Sequence, residues 1–394
     1  MKKQLFALLF IFSMSASYTV AQNRSIEFNH GTFSEILAQA KKENKMIYID
    51  CFTVWCGPCK WMAKNVFTND TVADFYNKNF INAKIDMEKG EGIEIAKKYG
   101  INAYPTLLYI NGDGVQMHRI CGAAPAKEFV EMGKDALSSD KQLASFTKKF
   151  NDGKTSAAIA KIYFGMLSNA CQTFGSEANK YFENIKKEEL YTRSNWEIIY
   201  SFVNDLNSNT FQTLEKEREA FAKLYTKDSV DAKIMDVYLN GMYNNMGKNN
   251  IKTYDVFKAK LRNLNIKNAD KEILLADIQN DQRQQNWEAY SNNAVLYIEN
   301  YNISDAGELN AFAWTFYEQV DNKEKLEKAA SWAKKAVETI NNYALNDTHA
   351  AVLFKLGKKA EAQAAAEKAI ELAKKEEADA SATIELLEKI KALK

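Results

Sequence analysis

Two hydrophobic periods alternate along the first third of the chain. An apolar run typical of a strand buried on both faces occurs at Met46–Phe52, and further strands are predicted over Phe80–Asp86, Thr106–Ile110 and 115–121. Helical spacing predicts helices over 32–44, from residue 55 to residue 67, over 92–99 and over 126–137. Strands that alternate with helices and end in a hairpin predict an α/β fold, with a mixed sheet and helices on both faces.

The rest of the chain has the pattern of an all-helical region. The three prolines are Pro58, Pro105 and Pro125, and half of the 16 glycines precede residue 123. Without proline, no backbone donor is lost and no ring clash arises, so the chain beyond Pro125 can be helical throughout. We therefore predict an α/β domain over residues 22–138 and an all-helical domain over 139–394, with the boundary near 138–142.

Small residues repeat near the end of the helical region. Ala329, Ala333 and Ala336 recur 33 residues later as Ala362, Ala366 and Ala369. A period near 34 residues with small residues at helix crossings resembles the tetratricopeptide repeat, over about residues 306–375. Helices predicted upstream, at 196–206, 210–225, 230–243 and 287–297, are expected to complete the array in degenerate form. Such an array can hold a partner peptide on its concave face, although packing alone explains the same pattern.

The first 21 residues have the layout of a secretory signal peptide. Lys2 and Lys3 precede an apolar run, and small residues end at Ala21. The apolar run is about half of the roughly 20 residues that a membrane span needs. We expect cleavage after Ala21, a mature chain without a membrane span, and a periplasmic or secreted location where thiols can be oxidised.

The charge balance and the cysteine content exclude some classes of protein. Lys and Arg total 52 and Asp and Glu total 51, a net charge of +1, which gives no electrostatic footprint for nucleic acid. The chain is 46% apolar and 26% charged, as folded globular proteins are. Five cysteines are too few for a disulfide-stapled scaffold, so their placement carries the information.

The segment Trp-Cys-Gly-Pro-Cys-Lys at residues 55–60 follows a predicted strand and opens a predicted helix. This places Cys56 at a helix N-terminus, where unpaired N–H groups and the helix dipole favour a thiolate. Cys59 lies one helical turn further on the same face, so it can attack a mixed disulfide formed by Cys56. Pro58 fits the start of a helix, because its missing N–H would have had no partner there.

Zinc binding is the alternative role for a Cys-x-x-Cys segment, and three further cysteines need an account. Tetrahedral zinc needs four ligands, no second Cys-x-x-Cys exists, and the three histidines are scattered, so no metal is expected. Cys51 and Cys171 are expected to be buried thiols. Cys121 immediately precedes Gly122-Ala123 and is also expected to serve packing, with a part in the chemistry as the alternative interpretation.

The order and approximate spacing of several motifs resemble the thioredoxin fold over residues 25–138. They are Asp50, the segment 55–60, Ala83-Lys84, Tyr99-Gly100-Ile101, Pro105-Thr106-Leu107-Leu108 and Gly122-Ala123. The chain has two more residues between Lys84 and Tyr99 than thioredoxin, and Cys51-Phe52 where thioredoxin has two aromatic residues. With these departures, the chain resembles an exported thioredoxin-like protein more than it resembles thioredoxin itself.

The resemblance implies a substrate groove beside the cysteines. It implies that Pro105 is cis and faces Cys56 and Cys59, and that the backbone at Tyr104 pairs with an extended substrate. Trp55, Gly57 and Pro58 are expected to complete the substrate-binding surface.

Asp50 is the candidate proton acceptor for Cys59. A carboxylate inside an apolar strand has a raised pKa, which suits proton exchange with a thiol. Lys84 is its expected neighbour by resemblance, and a purely structural Asp50–Lys84 pair is the alternative interpretation.

The resulting hypothesis is an exported thiol:disulfide oxidoreductase. The Cys-Gly-Pro-Cys motif resembles that of reducing family members, so we expect reduction of client protein disulfides, with no cofactor beyond the Cys56–Cys59 pair. In an oxidising compartment this requires an external electron donor, such as a membrane-embedded relay. The alternative is an interaction module in which a redox-sensitive thioredoxin-like domain docks partners without turnover.

Overall fold

The computed structural model divides the described chain into two compact units. It describes residues 24–153, 155–247 and 250–393, so the predicted signal peptide lies outside the described residues. The first unit ends at Phe202 and the second begins at Val203. Helices beyond residue 142 therefore share a unit with the sheet, and the domain boundary near 138–142 stays a prediction about sequence pattern.

A four-stranded mixed sheet forms the centre of the first unit. Its strands are β1 (Met46–Phe52), β2 (Phe80–Asp86), β3 (Thr106–Ile110) and β4 (Gln116–Cys121), in the spatial order β2-β1-β3-β4. β1 pairs with β2 in parallel, and the β1–β3 and β3–β4 pairs are antiparallel. The predicted bounds of the first three strands and the predicted mixed sheet are confirmed. The register places Asp50 opposite Lys84 on one side and Leu107 on the other.

Nine α-helices are described in the first unit. They are α1 (Phe33–Glu43), α2 (Gly57–Asn65), α3 (Asp70–Asn79), α4 (Glu91–Tyr99), α5 (Ala126–Leu137), α6 (Leu143–Asn151), α7 (Ala157–Asn169), α8 (Gly175–Glu183) and α9 (Arg193–Phe202), with a 3₁₀ helix at Lys187–Tyr191. Helix α3 was missed by the sequence analysis although its signal is present. The Asn69 side chain accepts the N–H groups of Thr71 and Val72, which caps the helix, and Val72 and Tyr76 are buried at helical spacing.

Side chains of β1 point alternately to the two faces of the sheet, and each face packs in a different hydrophobic core. On one face Tyr48 packs among buried aromatic rings, with the rings of Tyr76 and Phe129 stacked at 4.2 Å and the Tyr76 and Tyr109 hydroxyls 2.7 Å apart. On the other face, Ile47, Ile49 and Cys51 pack with aliphatic side chains of α1 and α4. Successive side chains of a strand point to opposite faces, so Asp50 lies on the aromatic face with Tyr48.

Helices α6 and α7 pack against the edge strand β4. The Leu143 N–H donates to Nδ1 of buried His118 over 3.2 Å, which fixes the start of α6 on the strand. Burial lowers the pKa of His118 to about 4, so the ring is neutral near physiological pH and can accept this bond. Covering β4 protects an edge that would otherwise offer unpaired backbone groups.

Cys121 and Cys171 form a disulfide, which corrects the prediction that both are packed thiols. Their Cα atoms are 5.9 Å apart, within the normal range for a disulfide, although 50 residues separate them in sequence. The bond joins the end of β4 to the turn after α7. No local pattern in the sequence pairs the two cysteines, because the path of α6 and α7 is what brings them together.

The second unit is all-helical. Its helices are α10 (Asn209–Lys216), α11 (Arg218–Tyr225), α12 (Lys227–Asn244), α13 (Ile251–Asn263), α14 (Ala269–Arg283), α15 (Trp287–Asn300), α16 (Ala306–Gln319), α17 (Lys323–Thr339), α18 (Tyr343–Lys355), α19 (Lys359–Glu376) and α20 (Ser381–Ala392). The single helix predicted over 210–225 is wrong, because the chain leaves helical geometry at Glu217. The six repeated alanines lie on α17 and α19 and are fully buried. No helix among the described residues is long and apolar enough to cross a membrane.

The Cys121–Cys171 disulfide should contribute strongly to the stability of the first unit. Closing a loop of 50 residues removes chain entropy from the unfolded state worth about 4 kcal/mol. We expect Cys121→Ser with Cys171→Ser to lower the free energy of unfolding of residues 24–202 by about that amount. Hydrogen exchange of peptides from this unit along a urea series, without reductant, measures the change.

The matched control is Cys56→Ser with Cys59→Ser. This pair closes a loop of only three residues, for which the same entropy model gives about 1.6 kcal/mol. An equal loss of stability in both double variants would contradict the role assigned to the long loop.

Candidate active site

Cys56 and Cys59 form a disulfide at the start of helix α2, with their Cα atoms 5.3 Å apart. Cys56 is the N-cap residue, and its Sγ accepts the N–H of Cys59 over 3.1 Å. A thiolate at this position gains the same hydrogen bond and the favourable end of the helix dipole. Both residues are 2% exposed, so position in the helix, rather than exposure in the oxidised form, distinguishes Cys56 as the candidate nucleophile.

An exposed indole forms the rim beside the disulfide. Trp55 is 63% exposed, and Gly57 and Pro58 are exposed next to it at the first turn of α2. The Trp55 Nε1–H lies 3.0 Å from both carboxylate oxygens of Glu88, which fixes the ring orientation. Glu88 was missed by the sequence analysis, because 33 residues separate it from Trp55 and no motif connects them.

The Tyr104–Pro105 peptide bond is cis, as the resemblance implies. The Tyr104 ring meets the Trp55 ring edge-on at 5.9 Å, which brings this loop beside the Cys56–Cys59 segment. On the far side the Gly122 N–H donates to the Pro105 carbonyl over 2.8 Å. Gly122 has a φ of +98°, a conformation that suits glycine, so this bond depends on the residue type there.

Asp50 and Lys84 form the pair that the resemblance implies. Asp50 is 1% exposed, and its Oδ2 lies 3.1 Å from the Lys84 Nζ. Apart from this ion pair, neither carboxylate oxygen has a hydrogen-bond partner in the part of the chain that the structure describes. Burial raises the pKa of Asp50 to about 6, and the Lys84 charge opposes part of that rise. The carboxyl group can therefore gain and lose a proton near neutral pH.

Three phenylalanine rings surround the Lys84 ammonium. Its Nζ lies 5.9 Å, 4.8 Å and 5.3 Å from the ring centres of Phe28, Phe52 and Phe67. Cation–π attraction holds the ammonium near Asp50 without offering it a second carboxylate. Phe52 is one of the positions at which the sequence departs from thioredoxin, and the roles of Phe28 and Phe67 were not predicted.

The other candidate groups lie apart from this site. Cys51 is fully buried on the aliphatic face, and burial raises the pKa of its thiol, which makes it unreactive. Among the described residues, no group of three or more His, Cys, Asp or Glu side chains could hold a metal ion. Disulfide exchange is the chemistry that the assembled residues can perform.

The pKa of Asp50 predicts a pH-dependent cost to the fold. A folded-state pKa raised from 3.8 to about 6 means that Asp50 destabilises the fold progressively as pH rises between these values, by up to about 3 kcal/mol above them. Asp50→Asn should therefore raise the free energy of unfolding by roughly that amount at about pH 8 and have little effect near pH 4. Urea unfolding at the two pH values measures the difference.

The control for this experiment is Asp74→Asn, which removes an exposed carboxylate paired with Arg24. Exposed ion pairs contribute little, so this variant should change stability by less than about 1 kcal/mol at either pH. A gain from Asp50→Asn that is the same at both pH values would contradict the raised pKa.

Comparison with known proteins identifies the first unit. A family model described as a thioredoxin-like domain matches residues 33–137. Thioredoxin H-type from Oryza sativa subsp. indica is 35% identical over 98 residues, which are 24% of this chain and 72% of that protein. A thioredoxin from Echinococcus granulosus is 33% identical over 92 residues, 23% of this chain and 79% of its own length.

Among solved structures, a candidate disulphide-isomerase from Bacteroides thetaiotaomicron is 49% identical, covers 30% of this chain and 98% of its own, and has a TM-score of 0.28. The relatives and the Cys56–Cys59 disulfide together support thiol–disulfide oxidoreductase activity in general. By its sequence identity to these thioredoxins, this chain belongs to the thioredoxin family.

Proposed function

We propose that the protein is an exported thiol:disulfide oxidoreductase that reduces disulfides of exported client proteins. The observation that carries this proposal is the Cys56–Cys59 disulfide at the N-terminus of α2, beside the cis Pro105 loop and the exposed Trp55. This arrangement provides an activated nucleophile, a resolving thiol and a surface for a client. The Cys56–Cys59 pair is the redox group, and no further cofactor is proposed.

The reduction proceeds in two exchanges. The Cys56 thiolate attacks one sulfur of the client disulfide, and the other client sulfur leaves as a thiolate. Cys59 then loses its proton and attacks the Cys56 sulfur, which releases the second client thiolate and leaves the Cys56–Cys59 disulfide. The client gains two electrons and the protein loses two.

Asp50 accepts the proton that Cys59 must lose in the second exchange. Cys59 is buried, so water is a poor acceptor there and desolvation disfavours the thiolate. A carboxylate with a pKa of about 6 is mostly ionised at neutral pH yet basic enough to take a proton. Lys84, which the three phenylalanine rings hold in place, positions this charge through its ion pair with Asp50.

The client segment lies along the cis-proline loop. The backbone at Tyr104 pairs with an extended client chain, and Pro105 keeps its own nitrogen from competing for a hydrogen bond. Trp55, Gly57 and Pro58 form the exposed apolar surface against which the residues around the client disulfide pack.

Export and the helical region complete the proposal. The sequence pattern of residues 1–21 supports export, and reduction in an oxidising compartment then needs an external electron donor, such as a membrane-embedded relay. Helices α16 to α19 form pairs, α16 with α17 and α18 with α19, and their repeated alanines are buried at the crossings. This supports a tetratricopeptide-like array over about 306–375 that positions the client.

Cys59→Ser should accumulate mixed disulfides through Cys56, because the attack can proceed while the resolving step cannot. Expression of this variant in the exporting cell, followed by non-reducing electrophoresis and identification of the covalent partners, measures the outcome. Cys56→Ser with Cys59→Ser is the control and should capture nothing. If the single variant captures no protein and the wild type fails to reduce a model disulfide, docking without turnover becomes the better explanation.

Asp50→Asn should slow the release of reduced product more than the formation of the mixed disulfide. General-base assistance is worth on the order of 100-fold, so a deficit of that size is expected near pH 7 and should shrink as pH approaches the pKa of the Cys59 thiol. Stopped-flow measurement of the two exchanges across about pH 6 to pH 9 separates them. Unchanged resolving kinetics over this range would return Asp50 to a structural role, and Asp74→Asn is the matched control.

A further inference from the structure

One cysteine of a second disulfide lies on the wall of an open cavity in the first unit. The cavity has a volume of about 650 Å³ and is bounded by the end of α4, the start of β4 and helices α6 to α8. Cys171, from the Cys121–Cys171 disulfide, lines it together with Gln116, Thr147 and Glu177. The proposed reduction of clients at Cys56 and Cys59 makes no use of this disulfide or of the cavity.

We propose that Cys171 is a thiolation site for small aminothiols, which enter this cavity and open the Cys121–Cys171 disulfide. The ligand is a low-molecular-weight thiol that carries an ammonium group. The site is separate from the Cys56–Cys59 pair and does not depend on the activity proposed for it.

One residue of the disulfide borders the cavity and the other does not. Cys121 and Cys171 are both partly buried, but Cys171 belongs to the cavity wall, whereas Cys121 is not among the described residues that line it. Cys171 lies in the turn after α7 with a φ of 50°, so its backbone is not held in a helix or strand. A thiolate that enters the cavity therefore lies beside Cys171 rather than beside Cys121.

The exchange balances without any further reactant. The thiolate of the small aminothiol attacks the Cys171 sulfur, the bond to Cys121 breaks, and Cys121 leaves as a thiolate that takes a proton from water. The product is a mixed disulfide on Cys171 and a thiol on Cys121. A second aminothiol can attack the mixed disulfide, which reduces Cys171 and yields the oxidised small disulfide.

Arg119 favours Cys121 as the leaving group. It precedes Cys121 by two residues on β4, so both side chains point to the same face of the sheet. The buried guanidinium donates to the carbonyls of Tyr99 and Gly100, and its Nε has no hydrogen-bond partner within the described chain. A guanidinium on the same face of the strand attracts a thiolate that forms at Cys121, which favours its departure.

Glu177 selects for a positively charged thiol. It is the one charged side chain among the described residues that line the cavity, and the Ser176 hydroxyl donates to its Oε2 over 2.8 Å. The other lining groups are amides, hydroxyls and apolar side chains. A thiol with an ammonium group gains attraction from Glu177, and a thiol with a carboxylate is repelled.

The position of attack is tested in the full chain with Cys56→Ser and Cys59→Ser, which leaves Cys121–Cys171 as the sole disulfide known within the described residues. The folded protein is incubated with cysteamine, quenched with excess N-ethylmaleimide and mapped by peptide mass spectrometry. We expect the cysteamine disulfide on Cys171 and the maleimide on Cys121. The reverse placement, or opening of the disulfide only in urea, would overturn the proposal.

The charge preference is tested by comparing cysteamine with 3-mercaptopropionate. The ratio of their rates of opening is measured in the same background with and without Glu177→Gln, so that the intrinsic reactivities of the two thiols cancel. Each unit charge about 6 Å away in a water-like dielectric changes a rate about threefold, so the ratio should fall about tenfold in the variant. An unchanged ratio would overturn the assignment of an aminothiol.

Two further variants keep this test independent of folding. Glu183→Gln removes an exposed carboxylate from the end of the same helix, outside the described cavity lining, and should leave the ratio unchanged. Glu177→Lys should lower the ratio by about a further tenfold relative to Glu177→Gln, because it replaces attraction of the ammonium thiol by repulsion. A loss of preference that Glu183→Gln shares would show a general charge effect and contradict a site at Glu177.

Discussion

The burial of strand β1 between two partners is the constraint on which the rest of the site depends. β1 pairs with β2 on one edge and β3 on the other, and both of its faces are covered. A slip of one residue would exchange the two faces, and would move the Asp50 carboxylate from the aromatic to the aliphatic core. The same fixed register determines where the chain leaves the sheet, and hence that Cys56 begins helix α2. One strand thus positions both Asp50 and Cys56.

Electrostatics at the site follows from this burial. A carboxylate in the core is costly when ionised, and the structure offsets the cost with a single ammonium rather than with a set of hydrogen bonds. Three phenylalanine rings hold that ammonium, and aromatic faces attract a cation without neutralising it. Asp50 consequently keeps a pKa of about 6, between that of a solvated carboxyl and that of an isolated buried one. This is the range in which a carboxyl group can exchange protons with a thiol at neutral pH.

The helices beyond α5 extend the thioredoxin-like unit rather than merely following it. Helices α6 and α7 cover the edge strand β4, His118 anchors the first of them, and the Cys121–Cys171 disulfide joins the end of the second to the sheet. The end of β4 also meets the active-site loop, since the Gly122 N–H donates to the Pro105 carbonyl. The covered edge strand and the cis-proline loop are therefore neighbours.

The sequence alone determined the elements whose signals are local. Strands could be predicted from short stretches of sequence, so β1, β2 and β3 were predicted with their observed bounds. The Cys-x-x-Cys segment at a strand–helix junction identified Cys56 and Cys59 as the candidate redox pair. Helix α3 could have been found from Asn69 and the spacing of Val72 and Tyr76. The tertiary structure alone decided the contacts between residues far apart in the chain: the pairing of Cys121 with Cys171, the Glu88 carboxylate on Trp55, the rings of Phe28 and Phe67 around Lys84, and the place of Glu177 in a cavity. The physical reason is that residue periodicity reports which face of an element is buried, whereas the path of the folded chain decides which other element covers that face.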